Sequence, residues 1–274
     1  MSAIFRRELA VHRPGVPRRA YSLAELFHEN TKVRRLSAVA PADSSDFSTG
    51  EIAAMARAFK RYRLHPQVPL PERSRGAGGV SLSDAIAARR TCRDFAPAAI
   101  ALDDLSVVLQ WTYGITGEVR LAGGTTQQLR AAPSAGALYP GEIYLGIRAV
   151  QGLKAGIYHY EVPEHSLARL SDDDCSEQLV RVCCEQQYAR EAAVVVLISA
   201  VLERTTRKYG DRGYRYALLD IGHLAQNLCL ICTGLGLSVT TTCGFYDEEA
   251  ADLLGIDGRD ESVMYVAFVG KPAE

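Results

Sequence analysis

Ala192-Ala-Val-Val-Val-Leu-Ile-Ser-Ala200 is a continuous apolar, β-branched run of strand length. A run with no polar side predicts a strand covered on both faces, at the centre of a sheet. Working outward, Tyr214–Gly234 carries Leu218, Leu219, Ile221, Leu224, Ala225, Leu228 and Ile231 at helical spacing. It predicts a long, mostly buried helix, ended by Gly234 and Gly236. A strand over Leu237–Thr242, a helix over Glu248–Leu254 and a last strand over Ser262–Val269 follow. On the other side, Cys175–Tyr188 predicts a helix, and Gly156–Tyr160 and Ser166–Leu170 flank Val162-Pro-Glu-His165 as a hairpin. Glu142–Arg148 alternates as a strand, Gly/Thr-rich Val119–Gln128 reads as a loop, and Leu102–Tyr113 as a helix stopped by Gly114. Helices and strands mix without regular β–α–β repeats, which makes the fold class α+β.

The first 79 residues read as an extension. Residues 1–20 are Arg- and Pro-rich and predict an arm. Tyr21–Asn30 predicts a short helix with Ser22 as cap and Glu25 at the capping-box position. Thr31–Gly50 reads as a loop, Glu51–Tyr62 as a helix, and Leu64–Gly79, with its prolines and glycines, as a connector. The boundary falls near residue 80, and 80–274 forms the main domain.

The chain of 274 residues balances 31 basic against 32 acidic side chains, a net charge of −1. That balance excludes a nucleic-acid or membrane-surface role and points to a small ligand. No apolar run reaches about 18 residues, and Met1–Ala10 lacks a signal segment, so a cytoplasmic location is expected. There the seven cysteines stay reduced, and Cys229-x-x-Cys232, with no second pair, reads as helix packing rather than a zinc site. No dinucleotide, phosphate-loop, zinc-protease or nucleophile-elbow motif is present.

Two segments carry chemistry. In Arg130-Ala-Ala-Pro-Ser-Ala-Gly-Ala-Leu-Tyr-Pro140, Pro133, Ser134, Ala135 and Gly136 make a turn of small residues whose amides can face a flat ligand; the same turn can be purely structural. Arg89, Arg90, Thr91 and Arg93 crowd the end of a helix capped by Ser81. They can hold a phosphate, or merely face that helix's own dipole.

Three segments then point the same way: Arg89-Arg-Thr-Cys-Arg-Asp-Phe95, the Pro133–Gly136 turn, and Gly234-Leu-Gly236 with Cys243-Gly-Phe-Tyr246 and Val269-Gly-Lys-Pro272. Together they resemble the flavin-dependent nitroreductase superfamily. Phe27-His-Glu-Asn-Thr-Lys32, and Lys208-Tyr209 ahead of Tyr214–His223, are similar to the SagB/ThcOx-type dehydrogenases, which oxidise thiazolines and oxazolines to thiazoles and oxazoles. The resemblance implies a nitroreductase-like fold, a central, mainly antiparallel sheet surrounded by helices, and a homodimer with FMN at the interface. It implies that Arg89 and Thr91, with Lys271, contact the phosphate, and that Arg93, beside Arg90, reaches the pyrimidine edge. Pro133, Ser134, Ala135 and Gly136 would line the ring from the partner copy. Gln187 would meet the flavin's polar edge, and the Cys243-Gly244 backbone would lie near N5.

In that chemistry a hydride passes to flavin N5, a proton to Lys208 or Tyr209, and oxygen reoxidises the flavin. One of the two side chains then needs a lowered pKa, for which Arg207 and Arg212 are near in sequence. Among competing histidines, His223 reads as a core residue of the long helix, with Asp220 three positions earlier. The implied substrate is an azoline-bearing peptide, ribosomal or carrier-bound, with a cyclase or synthetase as further partner. An NAD(P)H-dependent nitro- or quinone reductase and a non-catalytic flavin-binding subunit are the alternatives.

Overall fold

The computed structural model describes residues 22–33, 47–57, 59–71, 79–121 and 124–273. The expected arm over 1–20, most of the loop over 31–50 and most of the second half of the connector lie outside them. In order the chain forms α1 (Leu23–Asn30), α2 (Thr49–Ala56), β1 (Gln67–Pro69), α3 (Leu82–Ala88), β2 (Phe95–Ala96), α4 (Leu102–Tyr113), β3 (Ile115–Arg120), β4 (Thr126–Arg130) and β5 (Gly141–Ile147). There follow β6 (Gly156–Glu161), β7 (Ser166–Arg169), α5 (Ser176–Val182), α6 (Gln187–Glu191), β8 (Val194–Val201), α7 (Glu203–Tyr209), α8 (Arg212–Gly234), β9 (Ser238–Thr242), α9 (Asp247–Leu254) and β10 (Glu261–Pro272).

The apolar run is central: β8 lies between β5 and β10 in an eight-stranded sheet of order β1-β7-β6-β5-β8-β10-β2, with β9 also on β10. Every pairing between these strands is antiparallel. Its side chains alternate between two apolar layers, as strand geometry requires. Val194, Val196, Ile198 and Ala200 join Leu105 and Leu109 of α4 and Ile221, Leu224 and Leu228 of α8. Val195 and Leu197 join Leu179 and Val182 of α5 and Leu254 of α9. Burying each such side chain contributes about 1.5–3 kcal/mol, so the sheet is held from both sides. The α+β, nitroreductase-like expectation holds. No helix among the described residues is long and apolar enough to cross a membrane.

Several local expectations change. The helix expected over 175–188 is broken into α5 and α6, because Cys184 and Glu185 both adopt φ +55°. Val119–Gln128 belongs largely to a β3–β4 hairpin, in which Glu118 faces Gln128. The helix expected to reach Tyr62 stops at Ala56, its start fixed by a capping box between Ser48 and Glu51. Beyond it, Lys60 and Tyr62 turn into the sheet. Within the connector, β1 pairs Gln67–Pro69 with Ser166–Ala168 and supplies an edge strand.

Candidate functional site

The turn after β4 is tightly wound. Gly136 sits at φ +63° inside a single 3-10 turn, Ala135–Ala137. Ala137 and Tyr139 also hold positive φ, at 51° and 47°. Left-handed backbone at non-glycine residues stores strain of about 1–3 kcal/mol each and persists only where the surroundings enforce it. What surrounds this turn is the end of α7: a Cβ on Gly136 would lie 2.7 Å from Tyr209 Oη and 3.3 Å from Lys208 Nζ. Glycine leaves that space to the two polar tips. Two segments separated by some seventy positions, Pro133–Gly136 and Lys208-Tyr209, thus meet in one place.

Asp220 of α8 fastens the turn. Ser134 Oγ donates to its carboxylate at 2.5 Å, the Ala135 amide donates at 3.4 Å, and the Tyr139 amide donates to Ser134 Oγ at 2.8 Å. Burial raises the Asp220 pKa, against the hydrogen bonds from Ser134 and Ala135 and the charge of His223. Tyr209 packs edge-on against Tyr216 with ring centroids 4.9 Å apart. Burial, then Tyr216 and Asp220, push its phenol up. The expected help from Arg207 and Arg212 is absent: Arg207 pairs with Glu51, and Arg212 donates to Tyr216 Oη (2.9 Å) and to the Thr31 carbonyl (2.7 Å). Arg212 thereby docks the end of α1. Arg215 reinforces it by donating to the His28 carbonyl at 2.6 Å, and Phe27 meets the Tyr214 ring edge-on.

Behind the turn lies a buried ionic chain. Arg204 of α7 donates to the Tyr139 carbonyl at 2.9 Å and pairs with Glu142 at 2.6 Å; Glu142 also meets His159 Nε2 at 2.9 Å. Glu161 stands 3.6 Å from His159 Nδ1. Burial alone would raise the Glu142 carboxyl, but Arg204 and then His159 hold it at about 2. Burial likewise disfavours an imidazolium at His159, yet Glu142 and Glu161 raise its pKa. Arg204 therefore clamps α7, and with it Lys208 and Tyr209, against the turn.

The remaining expected residues form two further groups. Arg89, Arg90, Thr91 and Arg93 run beside the sheet, where the Cys92 amide donates to the Val239 carbonyl at 3.1 Å. Lys271 stands opposite Ala96 in the β2–β10 pair. Arg90 folds back onto the Ala87 and Arg89 carbonyls, as a helix-end cation does. The charged side chains of Arg89, Arg93 and Lys271 have no hydrogen bond or ion pair among the described residues. At the far end of β9, Gly244 accepts from Gln186 Nε2 at 2.7 Å, and Gln186 Oε1 is buried without a partner among the described residues. Cys243 is exposed. Gln187 instead bonds Glu191 on its own helix. His223, expected in the core, is exposed; the core side of α8 is taken by Ala217, Ile221, Leu224 and Leu228. Sequence reading missed Gln186, Tyr216, Arg204 and Glu142 as parts of the site. Only Asp220 had been noticed, as a partner for His223.

A sequence profile of the nitroreductase family matches residues 86–271. MJ1384 of Methanocaldococcus jannaschii, which carries a nitroreductase name, is 38% identical over 177 residues, covering 65% of this chain and 85% of its own. The trifolitoxin-processing protein TfxB of Rhizobium leguminosarum bv. trifolii is 26% identical, covering 63% of this chain and 48% of its own. The microcin B17-processing protein McbC of Escherichia coli is 29% identical, covering 52% and 54%. The match thus spans about half the length of both processing proteins. Among solved structures, a nitroreductase homologue from Anabaena variabilis superposes with a TM-score of 0.72 at 28% identity, covering 91% of this chain and 46% of that one. With more than half of its length matched by the family profile, and with this sheet and these helices, the chain belongs to the nitroreductase family.

Proposed function

We propose that the protein is an FMN-dependent dehydrogenase that oxidises thiazoline or oxazoline rings in a peptide to thiazoles or oxazoles. The observation that carries this reading is the convergence of Lys208 Nζ and Tyr209 Oη over Gly136. Two proton-handling groups above a turn of small residues suit removal of a proton from a flat ring stacked there. Sequence similarity to two peptide-processing proteins supports a peptide as substrate, with a cyclase or synthetase as further partner.

The residues fit the cofactor. Arg89, Arg93 and Lys271 are cations left without protein partners among the described residues, and Gln186 Oε1 is a buried acceptor waiting for a donor. Arg89, Thr91 and Lys271 would hold the phosphate, with Arg90 screening; Arg93 would face the pyrimidine edge, and Cys243-Gly244 with Gln186, and Gln187 beside it, the polar edge. FMN, when bound, supplies the hydride acceptor. Tyr209, whose phenol stays protonated, donates a hydrogen bond, and Lys208 Nζ beside it is the group placed to receive the ring proton. Arg204 and Asp220 hold these groups in register with the turn.

The same geometry suits a homodimer. Asp220, at the turn, and Cys229, which feels the Arg89 charge, are nine residues apart on α8, about 14 Å along its axis. The turn and the phosphate cations of one chain therefore sit apart, an arrangement compatible with a cofactor site shared with a second copy. Leu218 and Leu219 on α8 are 43% and 59% exposed, and Leu82 and Ile86 on α3, which packs on α8, are 68% and 56% exposed. These apolar faces suit a partner copy.

The test is anaerobic. A thiazoline peptide should bleach the flavin band and yield product about two mass units lighter, and Lys208→Ala should abolish it. The name carried by MJ1384 favours a second reading, a nicotinamide-fed reductase. Bleaching by NADPH alone, undiminished in Lys208→Ala/Tyr209→Phe, would establish that one. A flavin reduced by neither compound would point to a non-catalytic subunit.

A further inference from the structure

After α2 the side chains of Phe59 to Arg63 divide between two sides. Lys60 and Tyr62 turn inward: Lys60 Nζ reaches Tyr144 Oη at 2.6 Å and pairs with Glu261, while Tyr62 Oη lies 3.1 Å from the same phenol. Arg57, Phe59, Arg61 and Arg63 turn the other way and line a cleft of about 630 Å³. Its far wall is the β3–β4 hairpin, through Thr126, Gln128 and the single carboxylate of Glu118. Arg61 is paired with Glu164; Arg57 and Arg63 have no ion pair among the described residues.

Arg57 and Arg63, without ion pairs among the described residues, repel one another across the cleft, and an anion bound between them relieves that repulsion. Their arrangement selects the kind of anion. A single phosphate is held by forks that converge on a point. Here the cations are spread along one wall of the cleft, from Arg57 at the end of α2 to Arg63 six positions on, which suits several carboxylates carried on one chain rather than a single phosphate. The Phe59 ring, backed by the Arg130 guanidinium at 5.0 Å, offers one apolar contact. The Thr126 hydroxyl and Gln128 amide offer hydrogen bonds to a peptide backbone. The site is also close to the chemistry: Gln127, on the opposite face of β4 from Gln128, donates to the Ala137 carbonyl of the strained turn.

We propose that this cleft binds an extended acidic segment of the peptide substrate, anchored by Arg57 and Arg63. This names the substrate class for the dehydrogenase reading and rests on it. A fluorescent peptide of alternating Glu and Ala, mixed with the full-length flavin-loaded protein, should raise anisotropy at low salt and less so at physiological salt. Its Gln-for-Glu counterpart should bind about tenfold more weakly or worse. Arg57→Glu/Arg63→Glu should lose about tenfold or more of the affinity, with Arg57→Gln/Arg63→Gln between it and the parent. Both variants should keep the flavin spectrum and the parent rate on a small uncharged thiazoline. Unchanged peptide binding in the charge-reversed variant, or equal displacement by an RNA oligonucleotide of matched charge, overturns the proposal. Binding is read without turnover, so a parent protein that binds the peptide yet leaves the small thiazoline untouched counts against the dehydrogenase reading alone.

Discussion

Gly136 does two things at once: it takes a φ of +63° and leaves space for two polar tips. An added methyl group must displace the Tyr209 phenol and adopt left-handed backbone at a cost of about 1–2 kcal/mol. Gly136→Ala should therefore keep its flavin while thiazoline oxidation falls about 100-fold, the scale of a 1 Å misplacement, as stopped-flow reduction would show. Tyr209 carries a separate prediction. Burial, Tyr216 and Asp220 raise its pKa above the ordinary value of 10.0, so it stays protonated through the neutral range. Any rise of rate with pH between roughly 6 and 9 belongs to another group, and should survive Tyr209→Phe. Asp220→Ala leaves the Ser134 hydroxyl and Ala135 amide without their acceptor. A loss of about 1–3 kcal/mol in urea unfolding is expected.

The clamp between α7 and β5 has an opposite pH signature at each end. Glu142 titrates at about 2 in the folded chain against an ordinary 4.5, so its contribution is present above pH 4.5 and is lost as pH falls toward 2. His159 is raised above 6.5, so its contribution is present below that value and is lost as pH rises through the folded value. Urea midpoints should therefore peak between these limits. Glu142→Gln should weaken the acid limb and cost about 3–5 kcal/mol, because Arg204 keeps a buried charge with no counter-ion and His159 is left with Glu161 alone. The elements themselves were legible where patterning was strong. The run at β8, the spacing of α4 and the hairpin of β6 and β7 each announce a single geometry. The β3–β4 hairpin is mostly polar and at least half-exposed on one face, so no apolar alternation marked it. The break between α5 and α6 depends on two residues in left-handed backbone, which composition does not announce. In the site, Lys208-Tyr209 and the turn were readable as motifs. Their meeting, and the different partners of Gln186 and Gln187, depend on tertiary packing and on where a five-residue helix begins.

At the scale of the molecule, Leu219→Glu places a charge on the exposed face of α8 proposed to meet a second copy. Light scattering should find a monomer, and gel-filtered protein should lose flavin, if each pocket is shared between two chains as proposed. The order of the sheet has a further consequence. Strand β10 pairs with β8, β9 and β2, and Glu261 at its start accepts from Ser199 and Tyr144 and pairs with Lys60. On the ribosome it emerges after every partner it must join. Until then one edge of β8 is open and both apolar layers lack a wall, so completion of the fold waits on β10 and is slow, as long-range pairing dictates.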